Sequence, residues 1–241
     1  MRNNLEEILT KKKIYACIFA RGGSKGVKRK NVKTLGDKPL ISYSIDSARS
    51  NKYIDNVFVS TEDAEIAEIA SEYGANIPFI RPVELATDHS PMWGVWQHMM
   101  NFFKENNDLP EIMIDLPCTS PFRSDEDISN VLKKLISDDY DAAITVCESK
   151  RHPMFNMVTE NNDGSLQIAM KPKNPITRRQ DGPKIYDITT LAYAVRTEYI
   201  FSASNLFDGK IGAIIVPEER SLDIDTEFDF KYAAYMIDQI K

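Results

Sequence analysis

The chain has 241 residues, 42% of them hydrophobic, and a formal net charge of −6. That length supports a full core in one large domain or two small ones, one being the simpler expectation. The acidic balance and the lack of a long Lys/Arg run argue against a nucleic-acid-binding surface. In chain order, residues 1–13 form a polar leader that predicts a frayed or surface helix. They lack the apolar core of a secretory signal, and no window approaches the ~20 apolar residues of a membrane span. Cys17, Cys118 and Cys147 are odd in number and set in apolar stretches. They read as reduced thiols, so a cytoplasmic protein that does not engage membranes is expected.

Beyond the leader, short apolar runs alternate with segments of helical period. Ile14 to Phe19, Val57 to Ser60, Ile77 to Ile80, Ile112 to Leu116, Ala142 to Val146 and Ile211 to Val216 read as strands buried on both faces. Helices are predicted over Pro39 to Ser50, Asp63 to Tyr73, Met92 to Lys104, from Ser124-x-x-Asp127 to about Ser137, and from about Glu227. This alternation predicts an α/β fold with a mostly parallel sheet, helices on both faces, and ligands beyond the carboxyl ends of the strands. Residues 150–186 break the rhythm, and Asn161-Asn162-Asp163-Gly164 between Phe155 to Val158 and Leu166 to Met170 predicts a β-hairpin arm. The expected organisation is a single domain over 14–241 with that arm inserted.

The first chemical signal is Ala20-Arg21-Gly22-Gly23-Ser24-Lys25-Gly26, followed by Lys30-Asn31, directly after the first strand. Glycines admit close approach of the backbone to a polyanion, and flanking cations and amides stabilise its charge. The spacing matches neither a Walker A loop nor a dinucleotide Gly-x-Gly-x-x-Gly, and a plain solvated basic turn is the alternative. The second signal is Ser221-Leu222-Asp223-Ile224-Asp225. In extended backbone Asp223 and Asp225 share one face, a pair suited to Mg²⁺ held jointly with substrate phosphates. The alternative is that Asp225 or Thr226 caps the last helix and Asp223 is a turn residue. A basic glycine loop and a distant carboxylate pair together are the parts that bind a metal–triphosphate.

These motifs resemble the CMP-sialic acid synthetase (acylneuraminate cytidylyltransferase) family. The likeness extends through Ser60-Thr61-Glu62-Asp63, Arg81-Pro82-x-Glu84-Leu85-Ala86-x-Asp88, Thr119-Ser120-Pro121-Phe122-Arg123, Arg179-Gln180-x-x-Pro183-x-x-Tyr186 and Asp229-Phe230. The resemblance implies a Rossmann-like nucleotidyltransferase fold, transfer of CMP from CTP to the hydroxyl of a nine-carbon α-keto acid, Mg²⁺, and a homodimer built through the arm. It implies a catalytic set of Arg21, Lys25, Lys30 and Asp225, and Mg²⁺ on Asp223 and Asp225. CTP would be held by Ala20, Arg21, Gly22, Gly23, Ser24, Lys25, Lys30, Asn31, Arg81 and Asp88. The sugar acid would be held by Thr119, Ser120, Arg123, Arg179, Gln180 and Tyr186.

Two departures fall where the family contacts the sugar. Leu116-Pro117-Cys118 stands where the family reads Leu-Gln-Pro, and Thr189-Thr190-Leu191-Ala192-Tyr193 where it reads Asn-Gly-x-x-Tyr. The acceptor is therefore open to sialic, legionaminic, pseudaminic or octulosonic acids, or to another α-keto acid or phosphonate. A nucleotide-sugar glycosyltransferase and a CTP-binding protein without catalysis are the readings from other classes. His89, His98 and His152 lack metal-ligand spacing, and Trp93 and Trp96 read as core packing. Cys118 has no neighbouring base in sequence and reads as a packed thiol.

Overall fold

A computed structural model of the chain describes residues 2–172 and 176–240. In chain order the elements begin with α1 (Arg2–Leu9), β1 (Ile14–Phe19), the short pair β2 (Thr34–Leu35) and β3 (Lys38–Pro39), α2 (Leu40–Ser50), β4 (Asn56–Ser60) and α3 (Ala64–Glu72). The middle of the chain contributes α4 (Met92–Glu105), β5 (Ile112–Asp115), α5 (Asp125–Ser137), β6 (Ala142–Glu148) and the strands β7 (Val158–Glu160) and β8 (Leu166–Ile168). It closes with β9 (Tyr186–Arg196), α6 (Thr197–Ser202), β10 (Ile211–Ile215) and α7 (Glu227–Ile240). None of the described helices is long and apolar enough to cross a membrane.

Six strands form one sheet in the order β10-β6-β9-β5-β1-β4. β1 runs parallel to β4 and β5, and β6 parallel to β10; only β9 is antiparallel. The alternation along β1 shows how the sheet is covered. Ile14, Ala16 and Ile18 join a cluster with Ile41 and Ile45 of α2 and with Ile128, Val131 and Leu132 of α5. Tyr15 and Cys17 face the other way and pack with Trp96, Met99 and Phe103 of α4 and Ile200 of α6. Both faces of β1 are apolar because both are covered, as parallel strands require. A smaller third cluster joins α7, through Phe230, Ala233 and Ile237, to Val27, Leu35 and Ile224. That cluster ties the segment after β1 to the segment before α7.

Local signals account for the element ends. Ser124 and Asp127 form the reciprocal cap of α5, with Asp127 N donating to Ser124 Oγ at 3.2 Å and Ser124 N to Asp127 Oδ2 at 3.0 Å. Such a cap stabilises a helix by about 1 kcal/mol. Arg220 adds two further bonds to the same carboxylate at 2.8 Å. The leader is not only a surface helix, since Leu9 is fully buried in the α2/α5 cluster.

Two sequence expectations are corrected. Residues 77–80 do not form a strand: Ile80 makes one isolated bridge, with Thr61, and Asn76 just before them makes another, with Phe58. Pro78 lacks the N–H that a ladder needs, and Ile80 is exposed. Conversely, β9 was not foreseen. Its first half is polar, and its burial comes from lying between β5 and β6 rather than from an apolar run. The hairpin forms as β7 and β8 outside the main sheet, with Gly164 at φ 81° closing the turn. Residues 173–175 of the expected arm lie outside the described residues.

Candidate active site

The glycine loop leaves the carboxyl end of β1 and is braced from beneath. Gly22 N donates to Glu62 Oε1 at 2.7 Å, and Arg81, only 4% exposed, donates to Glu62 Oε2 at 3.0 Å and to the Ala20 carbonyl at 3.2 Å. Arg29 takes a left-handed backbone, φ 55°, and grips Asp63 with both terminal nitrogens, while Asp63 caps α3 through Ile66 N. Gly22 lies against that carboxylate, because a Cβ there would sit 2.4 Å from Asp63 Oδ2. Asn31 is buried and donates from Nδ2 to the Arg21 carbonyl at 2.9 Å. The loop is thus a shaped backbone held by β4, α3 and its own flanks.

The carboxylate pair arrives from the opposite side. Ile224 is fully buried in the third cluster, and its N–H donates to the Thr119 carbonyl at 2.9 Å. Asp223 and Asp225, on either side of it, both line the cavity together with the glycine loop. Thr226 and Asp229 cap α7, with Thr226 N donating to Asp229 Oδ2 at 2.7 Å and Asp229 N to Thr226 Oγ1 at 3.2 Å. Asp225 is therefore free of the capping role. Lys30 joins the two motifs: its Nζ donates to the Ile224 carbonyl at 2.5 Å and to Asp225 Oδ1 at 3.2 Å. Gly26 lies equally close, since a Cβ there would be 1.9 Å from the Asp225 carbonyl oxygen.

Between these segments opens a cavity of about 570 Å³. Of the residues expected at the site, Arg21, Ser24, Lys25, Lys30, Asn31, Thr119, Asp223 and Asp225 line it. Arg21 is paired with Asp88 at 2.6 Å, and Lys25 reaches the same carboxylate; Lys25 and then Arg21 lower its pKa. Asp223 Oδ1 is buried without a hydrogen-bond partner among the described residues. Burial pushes the Asp223 pKa up, with Asp225 adding to it and Thr119 and Lys30 opposing.

Other expected residues are placed elsewhere. Ala20, Gly22, Gly23, Arg81 and Asp88 do not line the cavity; Ala20 and Arg81 are buried under the loop. Ser120 is fully buried and shares a 2.6 Å hydrogen bond with Thr190 Oγ1. Arg123 is 6% exposed and clamps the Leu191 carbonyl, Ser44 Oγ and the Pro117 carbonyl, so its charge is spent on holding β9 and the 117–123 loop together. Arg179, Gln180 and Tyr186 line a separate cleft of about 250 Å³ with His152. There His152 Nδ1 accepts from Met154 N at 3.1 Å, so Nε2 carries the proton toward the Pro183 carbonyl at 3.0 Å. Among the described residues no three His, Cys, Asp or Glu side chains cluster as a metal site.

The two sequence departures divide. Pro117, Cys118 and Thr190 line the cavity, whereas Thr189 turns into the core and donates to Thr145 Oγ1 at 2.7 Å. Burial pushes the Cys118 thiol up to about 12, which removes it as a nucleophile. Trp93 and Trp96 pack in the core and also wall the cavity, with Phe19, Met92, Tyr193 and Leu206.

Sequence reading missed Asp115, the last residue of β5, because it sits in an apolar run. It lines the cavity at 2% exposure, accepts from Trp96 Nε1 at 2.9 Å on Oδ2, and leaves Oδ1 without a partner among the described residues. Burial raises its pKa from 3.8 to about 7, against the opposing pull of Trp96 and Arg123. Below about pH 4 both folded and unfolded chains carry the proton. Between pH 4 and 7 only the folded chain keeps it, so stability falls as pH rises, by about 1.4 kcal/mol per pH unit. Above pH 7 the full cost, on the order of 4 kcal/mol, is present. Asp115→Asn is therefore expected to melt several degrees above wild type at pH 8, with the gap shrinking toward pH 5. Thermal melts across that range measure it, and a gap independent of pH would refute the assignment.

A family model described as "Cytidylyltransferase" matches residues 15–230. The "Post-translational flagellin modification protein B" of Campylobacter coli is 34% identical over 228 residues, covering 93% of this chain and 94% of that protein. The "CMP-N,N'-diacetyllegionaminic acid synthase" of Campylobacter jejuni is 32% identical over 225 residues, with 93% and 94% covered. A solved structure of CMP:2-keto-3-deoxy-manno-octonic acid synthetase complexed with CTP superposes with a TM-score of 0.69 at 16% identity, covering 95% of this chain and 100% of that one. The last likeness bears on the fold alone, and it agrees with the six-stranded sheet and its flanking helices. With nine-tenths of its length matched, the chain belongs to the cytidylyltransferase family and is a nucleotidyltransferase.

Proposed function

We propose that this enzyme transfers CMP from CTP to the anomeric hydroxyl of a sialic-acid-like α-keto sugar acid. The bond from the acceptor oxygen to the α-phosphorus forms as the α–β bridging oxygen leaves with pyrophosphate. The observation that carries the reading is the Lys30 bridge, which brings a cationic glycine loop and a carboxylate pair to one cavity. Phosphoryl-type transfer needs chiefly positioning and charge stabilisation, and both are on hand here. Arg21 and Lys25 exchange Asp88 for the triphosphate, Lys30 stays between the phosphates and Asp225, and Ser24 and Asn31 shape the loop around them.

The donor set fits Mg²⁺. Asp223 has an oxygen buried without a partner, Asp225 is its exposed neighbour on the same face, and a hard cation is commonly held by one or two carboxylates plus phosphates. Asp223 and Asp225 would hold the ion, which when bound supplies charge neutralisation to the triphosphate. The acceptor half of the cavity is walled by Thr119, Thr190, Tyr193 and the tryptophans. The names of the relatives support a nine-carbon acid of the legionaminic type as the first acceptor to try.

A homodimer built through the arm is part of the proposal. Phe155, Met157, Val158, Leu166 and Met170 are exposed there, and Arg179 and Gln180 lie in a cleft apart from the cavity of their own chain. A single domain over 14–241 and a reducing, cytoplasmic location fit three unpaired cysteines and one continuous sheet. The test is pyrophosphate release from CTP and Mg²⁺ against a panel of α-keto sugar acids. Release with legionaminic- or sialic-type acids is expected. CTP binding with no release on any acid would leave a nucleotide-binding protein without this activity.

A further inference from the structure

The segment 82–91 is a strap fixed at both ends. At one end Arg81 is buried on Glu62 and the Ala20 carbonyl, and its backbone N–H donates to the Thr61 carbonyl at 2.9 Å. At the other, Met92 and Trp93 open α4, and Trp93 packs into the core. Between these anchors the backbone satisfies itself. Leu85 N, Ala86 N and Ser90 N donate to the Pro82, Val83 and Thr87 carbonyls, while Ser90 Oγ accepts from Thr87 N and donates to the Glu84 carbonyl. Val83, Glu84 and His89 are exposed. Among the described residues, the polar contacts of 83–90 with the rest of the chain are two ion pairs, both made by Asp88, one with Arg21 and one with Lys25.

The choice of partners is telling. Three cations line the cavity, Arg21, Lys25 and Lys30. Lys30 is committed to the Ile224 carbonyl and Asp225, so Arg21 and Lys25 are the two left to meet a polyanion. Asp88 neutralises both. It does not line the cavity itself, so it acts on the site through those two side chains.

We propose that Asp88 is an internal competitor of the triphosphate: it occupies Arg21 and Lys25 while the site is empty, holds the strap against the glycine loop, and is displaced when polyphosphate binds. The inference rests on the cytidylyltransfer reading and adds a control of ligand entry and release at the same site. A ligand that binds only the open form has its affinity lowered by the fraction of molecules that are open. Ion pairs between exposed groups are weak, so the strap is closed for about two-thirds to nine-tenths of the time and lowers polyphosphate affinity about three- to tenfold. The carboxylate also returns to its cations as pyrophosphate leaves, which limits product inhibition.

Calorimetry tests this with CTP and with inorganic pyrophosphate, on wild type, Asp88→Asn and Glu84→Gln, at low and at high salt. Glu84 is an exposed acid on the same strap with no side-chain partner among the described residues, so its substitution removes an equal charge and leaves the latch in place. Asp88→Asn is expected to bind both ligands about three- to tenfold more tightly than wild type at low salt, with the gap closing at high salt as exposed pairs are screened. Glu84→Gln is expected to stay within twofold of wild type. In steady-state kinetics pyrophosphate should inhibit Asp88→Asn more strongly by the same factor as its binding tightens. Equal affinities in wild type and Asp88→Asn overturn the proposal. Weaker binding by Asp88→Asn also overturns it, because Asp88 would then be arranging the cations rather than competing for them. Equal tightening in Glu84→Gln overturns it in favour of a diffuse charge effect. Failure of wild type to bind CTP at all would instead sink the underlying reaction, and this proposal with it.

Discussion

Asp223→Asn and Asp225→Asn are each expected to lower kcat by about 10²–10³-fold, the range seen when one preorganised charge-stabilising group is removed. The substitution keeps shape and removes charge, so lost activity reports electrostatics rather than packing. Asp223 is the more buried of the two and has an oxygen with no partner among the described residues, while Asp225 already shares its charge with Lys30. Removing Asp223 is accordingly expected to leave the fold intact, since its burial works against the charged form. Calorimetry provides a second reading: Mg²⁺ should tighten CTP binding by wild type and do so less by either variant. Turnover within threefold of wild type in both variants would exclude the carboxylate pair from the reaction.

The second large effect is expected from Gly26→Ala. A methyl group there would meet the Asp225 carbonyl oxygen at 1.9 Å; the methyl has no torsion by which to move aside and the oxygen is backbone. The glycine loop and the Asp223–Asp225 segment would have to separate, and Lys30, which bridges to the Ile224 carbonyl and to Asp225, would lose its register with them. A displacement of about 1 Å at a transfer site lowers rate by about 10²-fold. Overpacking of this kind costs about 1–3 kcal/mol of stability, read as a lower melting temperature. Steady-state kinetics and a thermal melt on the same sample measure both. Wild-type kcat/KM in Gly26→Ala would show that the two motifs do not act as one site.

Much of this site was legible because its chemistry requires residue types that stand out against a hydrophobic strand. Arg21, Ser24, Lys25 and Lys30 follow β1 directly, and Asp223 and Asp225 flank a buried isoleucine at the spacing that puts both on one face. Asp115 was not legible, because an acid closing an apolar run reads as the end of a strand. Its importance comes from Trp96 and Tyr193, which neighbour it only in the folded chain. Arg81 and Arg123 stand out as cations in sequence, yet Arg81 is bound to Glu62 and the Ala20 carbonyl, and Arg123 to backbone carbonyls and Ser44. Burial and partner count, which decide whether a charge braces or binds, are not properties of a residue's neighbours in sequence.

By itself the sequence determined the alternation of strands and helices, the position of the glycine loop after β1, the pairing of Asp223 with Asp225 and the hairpin turn at Gly164. Each depends on local periodicity or local backbone freedom, which a short window contains. Only the tertiary structure decided that β9 enters the sheet antiparallel between β5 and β6, that Pro78 leaves 77–80 outside it, and that Arg179, Gln180 and Tyr186 lie in a second cleft. It also decided that Lys30 reaches across 194 residues of chain to the Ile224 carbonyl. Such contacts are set by which surfaces bury one another, and that is a balance struck over the whole core rather than within any segment.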